Sequence, residues 1–194
     1  TCTAYDAAGD TYFSETASLD MSEFHSRFLA YLPEYSWILD AGCGSGRDSK
    51  AFISKGYQIK AFDASDTLAH RASELLGRPV ECARFSDFDY DRLFDGIWAC
   101  ASLLHLPENE LLNAFQRLNE NLRPAGVLYA SFKYGIFQGI RDGRYFCDQT
   151  KESIIKLLSN IPDLSIEESW VTTDIRPGHK TSWQNIILRR ASLF

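Results

Sequence analysis

The stretch "ILDAGCGSGRDS", Ile38 to Ser49, limits what this chain can fold into more than any other. An apolar run ends in Asp40, three glycines follow at alternate positions, and a helix-forming segment begins directly after them. Glycine tolerates positive φ and has no Cβ, so such a loop brings backbone close to a ligand. The helix that follows offers free N–H groups to an anionic group. A tight turn with incidental glycines is the alternative, disfavoured by three of them after a strand that ends in an acid.

The rest of the chain supplies the sheet around this loop. "SWILDA", "YQIKAFD", "VECARF", "FDGIWACASL" and "VLYASF" read as strands, separated by segments with helical spacing. Residues 20–32 place Phe24, Phe28 and Leu32 on one helical face, with Asp20 and Glu23 at capping-box spacing. Ser65 or Asp66 is suited to cap a helix that ends at Gly77. From Pro107 to Leu122, leucines and Phe115 recur at helical spacing, and "RPAG" is expected to turn the chain into the fifth strand. After an irregular stretch, "TKESIIKLLSNI" predicts a helix. "LSIEESWVTTD" and "WQNIILRR" then predict two strands joined by a short loop, hence antiparallel. The expected fold is α/β, a doubly wound Rossmann-like sheet with helices on both faces. One domain over 1–194 is expected, with 1–33 as an N-terminal lid and helix segment and 34–194 as the core.

Composition restricts the partners. Of 194 residues, 45% are hydrophobic, enough for one buried core; 20 Lys and Arg stand against 26 Asp and Glu, a net charge of −6. This balance disfavours nucleic acid as a partner. The five cysteines form no CxxC pair and no metal-ligand spacing with histidine, so no metal is expected, and reduced thiols indicate a cytoplasmic setting. No run approaches the roughly 20 apolar residues that span a bilayer, so no membrane is expected either. The chain starts on Thr1 rather than Met, and a start further upstream is expected.

At the carboxyl end of the second strand, Asp63 is placed to accept both hydroxyls of a ribose; the alternative is that it caps the helix starting near Ser65. The spacing Gly42-x-Gly44-x-Gly46 puts Arg47 where a dinucleotide fingerprint has its third glycine, which weakens a nicotinamide-dependent oxidoreductase.

Together, "ILDAGCGSGRDS", "AFDAS", "LFDGIWACASLLHLP" and "LNENLRPAGVLYASF" resemble the class I S-adenosylmethionine-dependent methyltransferases, in particular small bacterial ones acting on non-polymeric substrates. The resemblance implies a seven-stranded sheet, mostly parallel, with an antiparallel last strand. It implies that Asp40, Gly42, Cys43, Gly44 and Gly46 shape a pocket for the methionine part of S-adenosylmethionine, with S-adenosylhomocysteine as product. Asp63, with Ala64, would hold the ribose. Asp87 would lie near the adenine amine, with Ser86 and Phe88 as alternative contacts. Arg47 would pair with the cofactor carboxylate, or be a solvated arginine at the helix start. Ala101 and His105 would lie beside the cofactor, and Tyr12, with Tyr5, would belong to a lid over it.

Methyl transfer from a sulfonium needs positioning above all, and a base only where the acceptor carries a proton. His105 is the candidate base; a packed or capping histidine is the alternative. For the acceptor, Arg141, Arg144 and Arg176 can hold an anion, and Tyr134 and Trp183 can supply apolar walls. Surface loops with a few anchoring rings are the alternative. "ACASLLHLP" lacks the acid-or-asparagine, double-proline and aromatic motif of nucleic-acid amino-methyltransferases, and Cys100, inside an apolar strand, reads as a buried inert thiol. A small-molecule methyltransferase is therefore expected. The contrasting possibility is a cofactor-binding sensor or pseudo-enzyme without turnover.

Overall fold

The computed structural model describes residues 18–176 and 178–192. Its central sheet has seven strands: β1 (Trp37–Ala41), β2 (Gln58–Asp63), β3 (Glu81–Cys82), β4 (Phe94–Ala99), β5 (Leu122–Lys133), β8 (Leu164–Thr173) and β9 (Ser182–Arg190). Their spatial order is β3-β2-β1-β4-β5-β9-β8, so the order reverses between β1 and β4. The first five are parallel, and β9 runs antiparallel between β5 and β8. This is the Rossmann-like arrangement expected, antiparallel closing strand included. A crevice for a ligand opens at the carboxyl ends of β1 and β4, where the crossovers leave in opposite directions.

Strand alternation feeds two cores. On one face Ile38, Trp98, Val127 and Tyr129 pack against Phe28 of α1 (Ser22–Leu29) and Phe52 of α2 (Arg47–Ser54). On the other, Leu39, Ile97, Leu128 and Ala130 meet Leu111 and Phe115 of α4 (Glu108–Asn121) and Ile154 and Leu158 of α5 (Lys151–Leu158). Neighbours in sequence thus serve opposite faces, as a pleated strand requires. Between β2 and β3 lies α3 (Asp66–Leu76), where the Ser65 hydroxyl accepts a hydrogen bond from the Leu68 N–H and Gly77 closes the helix in the left-handed region.

Several boundaries depart from expectation, each for a local reason. The first helix covers 22–29 rather than 20–32, and no side chain caps it at Met21; Asp20 accepts instead from the Ser22 N–H. The third strand keeps only two residues, because the chain turns at 84–88, where Asp87 accepts from the Arg84 N–H at 2.6 Å. "RPAG" lies within β5 rather than ahead of it, with Ala125 at φ 64° and a register shift against β4 between Phe94 and Gly96. The stretch expected to be irregular holds a separate hairpin, β6 (Gln138–Arg141) and β7 (Arg144–Cys147), turning at Asp142 and Gly143 with φ 48° and 74°. Asp-Gly between short strands is a hairpin signal in its own right. Tyr5 and Tyr12 lie outside the described residues.

Candidate active site

The loop between β1 and α2 is left-handed at all three glycines, Gly42, Gly44 and Gly46, with φ 75°, 54° and 77°. A Cβ on Gly42 would stand 2.5 Å from Cβ of Ser102, whose hydroxyl donates to the Ala41 carbonyl at 2.7 Å. The loop is also stitched to the end of β2. The N–H groups of Gly42 and Cys43 both donate to the Phe62 carbonyl, and Gly44 N–H donates to Oδ2 of Asp63 at 2.8 Å. The other Asp63 oxygen accepts from Ser65 N–H at 2.9 Å, so Ser65 caps α3 and Asp63 braces the loop. Asp63 itself is half-buried at the end of β2. Ala64 adjoins it, also half-buried.

Behind the loop is a buried polar cluster that reading the sequence did not reveal. Asp40 is 2% exposed, and its Oδ2 accepts from both the N–H and the hydroxyl of Ser49, anchoring the start of α2. Asp48, also buried, accepts two hydrogen bonds from Arg47 at 2.8 and 2.7 Å and one from Trp98 Nε1 at 2.9 Å. His25 Nε2 of α1 lies 2.9 Å from the same carboxylate. Burial opposes the ionisation of Asp48, yet Arg47 and His25 hold it well below the usual carboxylate range. Burial and the charge of Asp48 push Asp40 up to about 7 against the hydrogen bonds from Ser49. Of the two carboxyls, Asp40 is the one that favours the proton. With a side chain only 17% exposed, Arg47 is not the solvated arginine of the alternative reading.

Two chambers meet at Arg47 and Cys100. A polar recess is walled by Asp40, the loop from Gly42 to Ser45, and Asp48. Beyond it lies a cavity of about 160 Å³, bordered by Arg47, Cys100, Ala101, His105 and residues of β5, β7 and β9. Ala101 adopts φ 52°, a left-handed conformation costly for alanine, and its N–H donates to Ser131 Oγ at 2.8 Å. Burial pushes the Cys100 thiol up to about 12 and raises Cys43 as well, so both thiols are inert. His105 Nδ1 sits 2.7 Å from the Tyr145 carbonyl, which only accepts, so Nδ1 carries the hydrogen and Nε2 the lone pair. Burial pushes this imidazole down to about 4, outweighing the carbonyl's opposite pull. It is neutral at physiological pH.

The residues proposed for the acceptor separate into two groups. Arg144, Arg176 and Trp183 border the cavity. Arg176 is bound through two hydrogen bonds by Asp174, which also accepts from Trp183 Nε1. Burial works against ionising Asp174, yet these donors hold its carboxyl at about 2. Tyr134 and Arg141 are not among the cavity's lining residues; Tyr134 is exposed, and Arg141 pairs with Asp148 and stacks on Phe137 at 3.8 Å. Of the residues expected near an adenine, Ser86 and Asp87 are exposed, while Phe88 is a core residue stacked on Phe62 with ring centres 4.8 Å apart. Its ring serves packing; Phe85, edge-on to Phe62, is the aromatic nearest Gly42. Sequence reading also passed over Ser131, Lys133 and Asn185, which line the cavity. The available signal was polarity at alternate positions of strands otherwise apolar.

Over residues 38–126 the chain matches the family model of a methyltransferase domain. The resemblance to methyltransferases read from the sequence is upheld, and the matched residues include the glycine loop, Asp63 and His105. An uncharacterized methyltransferase of Staphylococcus carnosus is 25% identical over 123 residues, covering 63% of this chain and 55% of that protein. The putative methyltransferase YqeM of Bacillus subtilis is 27% identical over 117 residues, 54% of this chain and 47% of its own length. The match thus spans about half the length of these two relatives. Among solved structures, a 1,6-didemethyltoxoflavin N1-methyltransferase of Burkholderia thailandensis superposes with a TM-score of 0.77 at 22% identity, covering 98% of this chain and 85% of that one. That crystal structure contains 1,6-didemethyltoxoflavin and S-adenosylhomocysteine. No helix among the described residues is long and apolar enough to cross a membrane.

Proposed function

We propose that this chain transfers the methyl group of S-adenosylmethionine to a small, anionic acceptor held in the cavity behind Cys100. The observation that carries this reading is the meeting of two chambers at one wall, Arg47 and Cys100, one built of glycine-loop backbone and the other of side chains. The recess fits the cofactor chemically. The Arg47 guanidinium that borders it suits a carboxylate, and half-buried Asp63, which braces the glycine loop from the end of β2, suits a sugar diol. S-adenosylmethionine would supply a methyl group on a sulfonium, transferred by in-line displacement and leaving S-adenosylhomocysteine.

The protein's own contribution is placement. Asp48 fixes the direction of Arg47, and Asp63 fixes the loop. Phe146, Trp183 and Phe24 exclude water from the acceptor side. His105, neutral with its lone pair on Nε2, is assigned the role of accepting a hydrogen bond from a protonated acceptor atom. Arg144 adds positive charge to the border of the acceptor cavity.

Calorimetry with S-adenosylmethionine and S-adenosylhomocysteine, followed by an assay of S-adenosylhomocysteine release over candidate acceptors, tests the proposal. Micromolar affinity with turnover supports it. Binding without turnover on any acceptor points to a sensor, and no binding returns attention to nicotinamide cofactors. Asp63→Ala is expected to weaken S-adenosylhomocysteine binding by about 1–3 kcal/mol; a folded variant with wild-type affinity removes Asp63 from the ribose role.

A further inference from the structure

The acceptor cavity has a floor made of two antiparallel strands. Tyr129, Ser131 and Lys133 alternate along β5 and all border the cavity, as do Trp183 and Asn185 of β9. The register sets Ser131 opposite Asn185 and Lys133 opposite Trp183. At the inner end, Ser131 Oγ accepts from Ala101 N–H and donates toward Cys100 Sγ at 3.8 Å, which places it at the wall shared with the recess. Lys133 stands two residues outward on the same face, about 7 Å away at roughly 3.3 Å per residue.

The charges around the cavity are unequal. Arg47, at the inner wall, is held by Asp48, and Arg176 by Asp174. The carboxylate of Asp148 is bound by Arg141. Among the described residues Lys133 has no carboxylate at ion-pair distance, and its ammonium lies 4.0 Å from the centre of the Phe146 ring. Arg144 approaches the same ring, at 5.5 Å. Burial and the charges of Arg141, Arg144 and Arg176 destabilise the protonated lysine, with Asp148 opposing them. An anion beside Lys133 would relieve that excess.

Resting on the methyltransferase reading above, the geometry points to a planar acid as the acceptor: a small aromatic or conjugated molecule whose carboxylate pairs with Lys133, with the atom that receives the methyl group about 7 Å inward, beside Ser131 and Cys100. The span is that of a single ring bearing a carboxylate at one end and a hydroxyl or amine at the other. Phe146 and Trp183 supply the aromatic lining such a ring prefers.

The experiment is calorimetry on protein saturated with S-adenosylhomocysteine, titrated with 4-hydroxybenzoate and, separately, with its neutral isostere 4-hydroxybenzamide. The acid is expected to bind about 10-fold or more tightly than the amide. Lys133→Gln should bring that ratio close to one while leaving S-adenosylhomocysteine affinity unchanged, and Lys133→Arg should restore most of it. Equal binding of acid and amide, a ratio untouched by Lys133→Gln, or no binding of either compound overturns the inference. If S-adenosylhomocysteine itself does not bind, the proposed function fails on its own account, and the acid-to-amide ratio on the unloaded protein still judges Lys133.

Discussion

Gly42 shows how few atoms decide whether the recess exists. Its φ of 75° and the 2.5 Å that would separate an added Cβ from Ser102 Cβ penalise any side chain twice, by backbone strain and by overlap. Ser102 cannot swing away cheaply, because its hydroxyl is bonded to the Ala41 carbonyl. Gly42→Ala should cost about 2–4 kcal/mol in urea denaturation. Adding Ser102→Gly should return the part due to overlap and leave the part due to φ; no recovery in the double variant would show that overlap is not the cause. At this scale the sequence is a good guide for backbone-determined roles and a poor one for charges. Gly42, Gly44, Gly46 and Asp63 are found together as their spacing implies, whereas Arg141 and Arg176 are read as anion holders and turn out to be paired with Asp148 and Asp174. A pairing across several residues of loop leaves no periodic trace in the chain.

Helix α1 shows the same division among elements. Its apolar face is legible as Phe24 and Phe28, with Leu32 just past its end, but its seat is not: Gly96 of β4 leaves room for Phe28 and Leu32, whose side chains would stand 2.7 and 2.8 Å from a Cβ there. Gly96→Ala should destabilise the protein by about 1–3 kcal/mol. It should also speed amide hydrogen exchange across residues 22–32; unchanged exchange there would mean that α1 is seated by other contacts. The parallel strands and their helices follow from alternation and period, because both faces of this sheet are buried and each strand must serve both. The β6–β7 hairpin is less legible, since its strands have four residues each and expose Ile140, with Ile136 exposed just ahead of them, so burial imposes little pattern there. Its Asp142-Gly143 turn is the one readable sign.

The whole molecule carries a buried acid pair at its centre, and its stability should register that. Asp40, raised to about 7, binds its proton more tightly folded than unfolded. Its contribution is therefore complete below about pH 4, the unfolded value, and lost progressively as pH rises to about 7. His105, lowered to about 4, has the opposite slope between about 4 and 6.5, so only a comparison with a variant isolates Asp40. Asp40→Asn keeps an oxygen for the Ser49 donors and removes the ionisation. Relative to wild type, it should gain stability between pH 5 and pH 8 in chemical denaturation; an equal difference at both values would mean that Asp40 does not hold the extra proton.

A single guanidinium, that of Arg47, forms part of the boundary of both compartments. Filling either one completes a partition that the other needs, so the nucleoside and the acid should each tighten the other's grip by one and the same factor, as thermodynamic reciprocity demands. Titrating 4-hydroxybenzoate with and without S-adenosylhomocysteine, and then reversing the order, measures that factor twice. Two independent affinities would mean that the party wall transmits nothing.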